Sequence, residues 1–168
     1  MSLSMYDASV PVFVRGLKNL ADVLAKGEAF AAEKGLDASE LTTAKLAEDM
    51  YPLVRQVQIA SDAVKGAGGR LSGSEIPSFE DTEVTFADLQ ARIAKTVSFL
   101  ESLDAGSFDG SEAKDVRMNI KGNEMSFTGK DYLFGFAMPN FFFHVTTAYD
   151  ILRHKGVPLG KKDFLGAN

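Results

Sequence analysis

Residues 46–71 read LAEDMYPLVRQVQIASDAVKGAGGRL, and their spacing decides the fold class. Leu46, Met50, Leu53, Val57, Ala60, Val64, Ala67 and Leu71 recur at steps of four and three. That alternation is the seam of a bundle helix packed at a shallow angle. Pro52 removes one backbone hydrogen bond inside the run and is expected to bend it. Gly66, Gly68 and Gly69 weaken its far end, and Gly73, Ser74, Pro77 and Ser78 mark a connecting loop beyond it.

Three more helices lie on either side. Val10, Phe13, Val14, Leu17, Ala21 and Leu24 form one apolar stripe that ends at the Lys34-Gly35 stop signal. Pro11 either occupies the first turn of this helix or kinks one that begins near Ser4. A third helix opens at Thr85 with Asp88 as a capping box, and Phe86, Leu89, Ile93, Val97 and Leu100 supply its stripe. The period then changes to two. Val116, Met118 and Ile120 alternate with Arg117, Asn119 and Lys121, and Met125 and Phe127 answer across Gly122-Asn123. This is a β-hairpin, too small to stand alone and so expected to lie on the bundle. The fourth helix opens with Thr128 and Asp131, runs through Leu133, Phe136, Asn140, Phe143 and His144 to Ile151, and stops at Lys155-Gly156-Val157-Pro158. The expected fold is therefore all-α: a four-helix, up-and-down-type bundle with a small hairpin between helices three and four. Residues 1–168 are expected to form one domain.

Composition narrows the function classes. The chain has no Cys, which removes disulfides, thiolate metal sites and a Cys nucleophile. A net charge of −5 without any basic cluster argues against nucleic-acid binding. No apolar run reaches the ~18 residues of a membrane span, and no export signal opens the sequence, so a cytoplasmic protein is expected. Gly66-Ala67-Gly68-Gly69-Arg70 lacks the ending and preceding strand of a phosphate loop, and no nucleophile elbow is present.

Only two histidines occur, and one stands in the aromatic run Pro139-Asn140-Phe141-Phe142-Phe143-His144. Asn140 precedes His144 by four residues, so the two share a helix face, a spacing used by metal sites built on one helix. Gln56, seven residues from Asp49, lies on the same side of helix two, where it either lines a pocket or donates to a carbonyl freed by Pro52. Three consecutive Phe point in three directions, and the spare aromatic surface around Phe141 and Phe142 suggests a homodimer. Arg55 and Asp62 are expected to face solvent or a partner subunit, and the run Glu80-Asp81-Thr82-Glu83 reads as a solvated lead-in to helix three. His154 reads as a helix-end cation above Asp150.

Four helices with a hairpin before the last resemble the DinB/YfiT-like superfamily of bacterial bundles, many of them assigned as metal-dependent enzymes. Within it the chain is similar to an uncharacterised domain-of-unknown-function family. That similarity is carried by Ser4-Met5-Tyr6-Asp7, Leu46-Ala47-Glu48-Asp49-Met50-Tyr51-Pro52-Leu53 with Gln56-Val57-Gln58, Pro139 to His144 with Ala148-Tyr149, and Leu152-Arg153-His154-Lys155-Gly156-Val157 with Gly160-Lys161. The superfamily pattern has one His on helix two and an H-x-x-x-H pair on the last helix. Carried over, it implies Asp49, Asn140 and His144 as the metal-binding set, with two of three positions departing from His. Such a set suits Mn, Fe, Ni or Zn loosely.

Two functions follow as expectations. One is a divalent-metal-dependent enzyme acting on a small molecule, of the thiol-dependent transferase or isomerase class that the resemblance implies. The other is a non-catalytic homodimeric binding or structural protein with a degenerate site. In either, Asp49, Asn140 and His144 are expected to converge on one polar pocket.

Overall fold

The structure, a computed structural model, describes residues 3–120 and 122–166. Four long helices carry the fold: α1 (Val10–Lys34), α3 (Leu53–Ser72), α4 (Phe86–Glu101) and α6 (Met138–His154). Short helices α2 (Ser39–Thr42), α5 (Gly129–Tyr132) and α7 (Lys161–Leu165), with hairpin strands β1 (Asp115–Ile120) and β2 (Asn123–Thr128), complete it. Each of α1 and α3 packs against both α4 and α6, so α1 faces α3, and α4 faces α6, across the diagonals. The all-α four-helix bundle with a hairpin ahead of its last helix is thus the architecture found.

The apolar stripes fill its centre. Phe13, Leu17, Leu20 and Leu24 of α1, Leu53, Val57, Ala60 and Val64 of α3, Phe86, Leu89 and Leu100 of α4, and Phe141, Ala148 and Ile151 of α6 are all buried. Phe13 and Phe141 meet edge to face with centroids 5.4 Å apart. Gly16 lets that ring in: a Cβ there would fall 2.6 Å from Phe141 Cε1. Pro11 sits in the first turn of α1, and Gly35 closes the helix in the left-handed region (φ 64°). The α4 start is a reciprocal capping box, Asp88 N–H donating to Thr85 Oγ1 (3.1 Å) and Thr85 N–H to Asp88 Oδ2 (2.8 Å).

In the hairpin, Val116 pairs with Phe127 and Met118 with Met125. Lys121 lies outside the described residues. The hairpin is pinned to the start of the last helix by Phe127, 6.1 Å from the Tyr132 ring and 5.8 Å from that of Phe136.

Two sequence expectations need correction. The second long helix does not begin at residue 46. Pro52 takes an extended conformation (φ −69°, ψ 167°) and caps a helix that starts at Leu53. Residues 43–52 form a loop, with Leu46 39% exposed. A proline ring restricts the residue before it to extended conformations, so Pro52 starts this helix rather than bending it. The second concerns the last helix. A π turn, Leu133–Ala137, separates α5 from α6, with Met138 N–H donating to the Leu133 carbonyl. The wide turn sits just before Pro139, where the ring would otherwise press on the carbonyl four residues back. It adds one residue, which turns the following face by about 100°. Phe141 is consequently buried, Phe142 half-buried and Phe143 57% exposed. Of the two rings around which a dimer was expected, Phe141 is core and Phe142 half-buried.

Candidate functional site

Helices α3 and α6 pack extensively, and one buried polar pair joins them. Carbonyls of the loop that precedes α3 lie outside its helical hydrogen-bond ladder. The Gln56 side chain reaches back to one of them, its Nε2 donating to the Tyr51 carbonyl at 2.9 Å. The other end of the same amide, Oε1, lies 2.6 Å from His144 Nδ1. Because Gln56 already donates through nitrogen, its oxygen must be the acceptor, so Nδ1 carries the imidazole proton.

The consequence falls on Nε2. In the neutral ring it bears a lone pair, and it has no hydrogen-bond partner among the described residues. His144 is 8% exposed. Fully enclosed, unpartnered side-chain atoms are confined to Thr42 Oγ1, Arg92 Nε and Ser111 Oγ among the described residues, so Nε2 keeps a path to solvent. Burial, and secondarily the Arg55 cation, push the imidazole pKa down to about 4. His144 is therefore a neutral ring at physiological pH, with its tautomer fixed by Gln56. Phe143 stands perpendicular to it, centroids 5.1 Å apart.

The residues expected to join His144 divide. Asn140 is half-buried one turn earlier on α6 and bonds neither to His144 nor to Gln56. Asp49 does not enter the bundle: it is exposed, in the loop before α3. The polar convergence expected of Asp49 is met by Gln56, whose donation to a carbonyl near Pro52 was one of two alternatives offered by the sequence and whose bond to His144 was not foreseen. As a metal site the expected set does not fit. It offers one imidazole nitrogen, one weak amide ligand and a carboxylate on an exposed loop. Among the described residues no group of three His, Cys, Asp or Glu could hold an ion. His154 is exposed at the end of α6, apart from this site.

Sequence reasoning missed a second feature beside the pair. Arg92 of α4 is 1% exposed and bonds to Asp62 (2.9 Å), Asp81 (3.1 Å) and Glu83 (3.1 Å). Gln58 Nε2 donates to Glu83 (2.9 Å), Arg55 pairs with Asp81, and Lys65 pairs with Asp62 (3.0 Å) while its ammonium lies 4.1 Å from the Phe79 ring centre. These contacts clamp the 73–85 connection onto α3 and α4. Arg55 and Asp62, expected to face solvent or a partner subunit, and Asp81 and Glu83, expected to be solvated, are thus part of an ion network. Burial raises the Glu83 carboxyl, but hydrogen bonds from Gln58, its own backbone and Arg92 outweigh it and hold it below the usual carboxylate range. Arg55 also links this network to His144, through its field on the ring and its place over the Tyr51 ring, 5.8 Å from the centroid.

A family model described as domain of unknown function DUF1993 matches residues 5–165. The chain belongs to the DUF1993 family. A solved structure of a DinB family member protein from Shewanella denitrificans is 40% identical to this DUF1993 chain, covers 98% of it and 93% of its own length, and superposes with a TM-score of 0.92. The DinB-like resemblance read from the motifs is borne out. No curated protein matches. Among the described residues of the DUF1993 chain no helix is long and apolar enough to cross a membrane.

Proposed function

We propose that this DUF1993 protein is a binding protein rather than a metalloenzyme, and that His144 Nε2 receives a hydrogen-bond donor from a small-molecule ligand. The observation that carries it is the bond from His144 Nδ1 to Gln56 Oε1 at 2.6 Å, which fixes the tautomer and leaves Nε2 as an acceptor. A ring with a pKa near 4 is a weak base at neutral pH, because catalytic bases work best with a pKa near the working pH. It is well suited to accept a hydrogen bond without taking the proton. The site is a DinB-type bundle interior in which one imidazole has kept its place and lost its metal-binding neighbours.

One observation favours a second reading, the divalent-metal enzyme. An imidazole whose Nδ1–H is held by an oxygen is also how proteins orient a metal-binding His. Titration with Zn, Ni, Mn and Fe, followed by elemental analysis after gel filtration, separates the two. The binding reading expects no stoichiometric retention; one metal per chain, lost in His144→Ala, would overturn it. The homodimer expected around Phe141 and Phe142 would have to form without Phe141, which is core, through half-buried Phe142 and exposed rings such as Phe143 and Phe134. A single-chain mass by light scattering at micromolar concentration would remove it.

A further inference from the structure

We propose that the space between α1, α6 and α7 binds a small, neutral, apolar molecule somewhat larger than benzene. It is a second site and does not depend on the His144 pair. Val12 and Gly16 of α1, Phe142 and Val145 of α6, and Phe164 and Leu165 of α7 wall a cavity of about 240 Å³. His144 bonds on the α3 side of α6, whereas this cavity lies on the α1 side. Protein interiors are packed so closely that few voids exceed a water molecule. An apolar cavity of about 150 Å³ already stays dry and takes up benzene.

The way α7 is held keeps the space open. No residue of α7 is buried. The helix is tied down through polar groups: Arg15 Nη2 donates to the Leu165 carbonyl at 2.9 Å, and Asn19 Nδ2 to the Phe164 carbonyl at 3.0 Å. Lys26 pairs with Asp163. Tyr149 meets Phe164 edge to face, centroids 6.2 Å apart. These contacts hold α7 as a roof over the bundle without packing it into the core. The α1 wall cannot fill in from Gly16, because a Cβ there would fall 2.6 Å from Phe141 Cε1.

The lining selects the ligand. Its polar members are Arg15 and Asn19, and both already hold α7 carbonyls. Arg15 is exposed, so an anion beside it would sit in water, outside the apolar walls. A charged molecule drawn inside would lose its hydration against valine, leucine and phenylalanine side chains. A neutral ring avoids that cost and can set its face or edge against Phe142 and Phe164.

The test titrates the intact chain with toluene, and separately with benzoate, while valine methyl groups are followed by NMR. Toluene is expected to give saturable shifts at Val12 and Val145, to leave Val57 in the core unmoved, and to bind at least about tenfold tighter than benzoate. Val12→Phe, from a half-buried position on the wall, puts a ring into the cavity and is expected to abolish the toluene shift at Val145. Phe164→Ala takes one wall away from a helix with no buried residue, so the bundle keeps its core, and toluene is expected to weaken about tenfold. The absence of a saturable shift up to the solubility of toluene, equal binding of benzoate, or unchanged toluene binding in either variant would each overturn the site.

Discussion

Replacing Gln56 by Leu should cost about 3–5 kcal/mol of stability. The substitution keeps most of the side-chain volume and removes two hydrogen bonds, to His144 Nδ1 (2.6 Å) and to the Tyr51 carbonyl (2.9 Å). Each neutral bond is worth about 1 kcal/mol net, and leaving a buried N–H without an acceptor adds about 1–3 kcal/mol. The exposed side of the 43–52 loop gives the Tyr51 carbonyl access to water, so most of the penalty falls on Nδ1. Replacing both partners, Gln56→Leu with His144→Phe, removes the stranded donor. The double variant should therefore be less destabilised than the sum of the singles, by about 1–2 kcal/mol. Urea unfolding of the four proteins of the cycle measures this term. If the singles add within about 0.5 kcal/mol, the pair is not coupled and the account of His144 is wrong.

Other perturbations test the surrounding structure. His144 has its pKa lowered from 6.5 to about 4, so the unfolded chain binds a proton that the native ring refuses between those values. Stability should fall as pH drops from 6.5 to 4, by about 2 kcal/mol after allowing for solvent at Nε2, and His144→Phe should flatten that part of a pH–urea profile. Arg92→Met strands Glu83, whose side chain is 10% exposed, while Asp62 and Asp81 keep water; a loss of about 3 kcal/mol is expected by thermal or urea unfolding. Gly16→Ala should gain about 1 kcal/mol in helix propensity but lose about 1–3 kcal/mol to the clash with Phe141, a net destabilisation that calorimetry can read.

Helix starts and stops were legible wherever a local signal set them. Thr85 with Asp88, Gly35 after Lys34, and the period-two run from Val116 all act within a few residues, and each is where the sequence puts it. Misreadings arose where a pattern ran on past a change in backbone. Leu46 and Met50 carry the steps of four and three into Leu53, yet Pro52 keeps the chain out of the helix until Leu53. On the last helix the π turn adds a residue that no local pattern announces, so Phe141 goes inward where Phe143 was expected. Asp49 failed as a site residue for the first reason, since a loop and not a helix carries it. Gln56 and Arg92 needed partners far away in sequence. Their types are usually surface residues, and only the packing of α3 against α4 and α6 reveals what they satisfy.

The most direct test of the central claim is the nitrogen spectrum of His144 in the metal-free, ligand-free protein, assigned with a His154→Gln variant. The account predicts a proton on Nδ1, an unprotonated Nε2 and no titration of this ring between pH 8 and 5. A proton on Nε2, or a ring that titrates near 6.5, would contradict it.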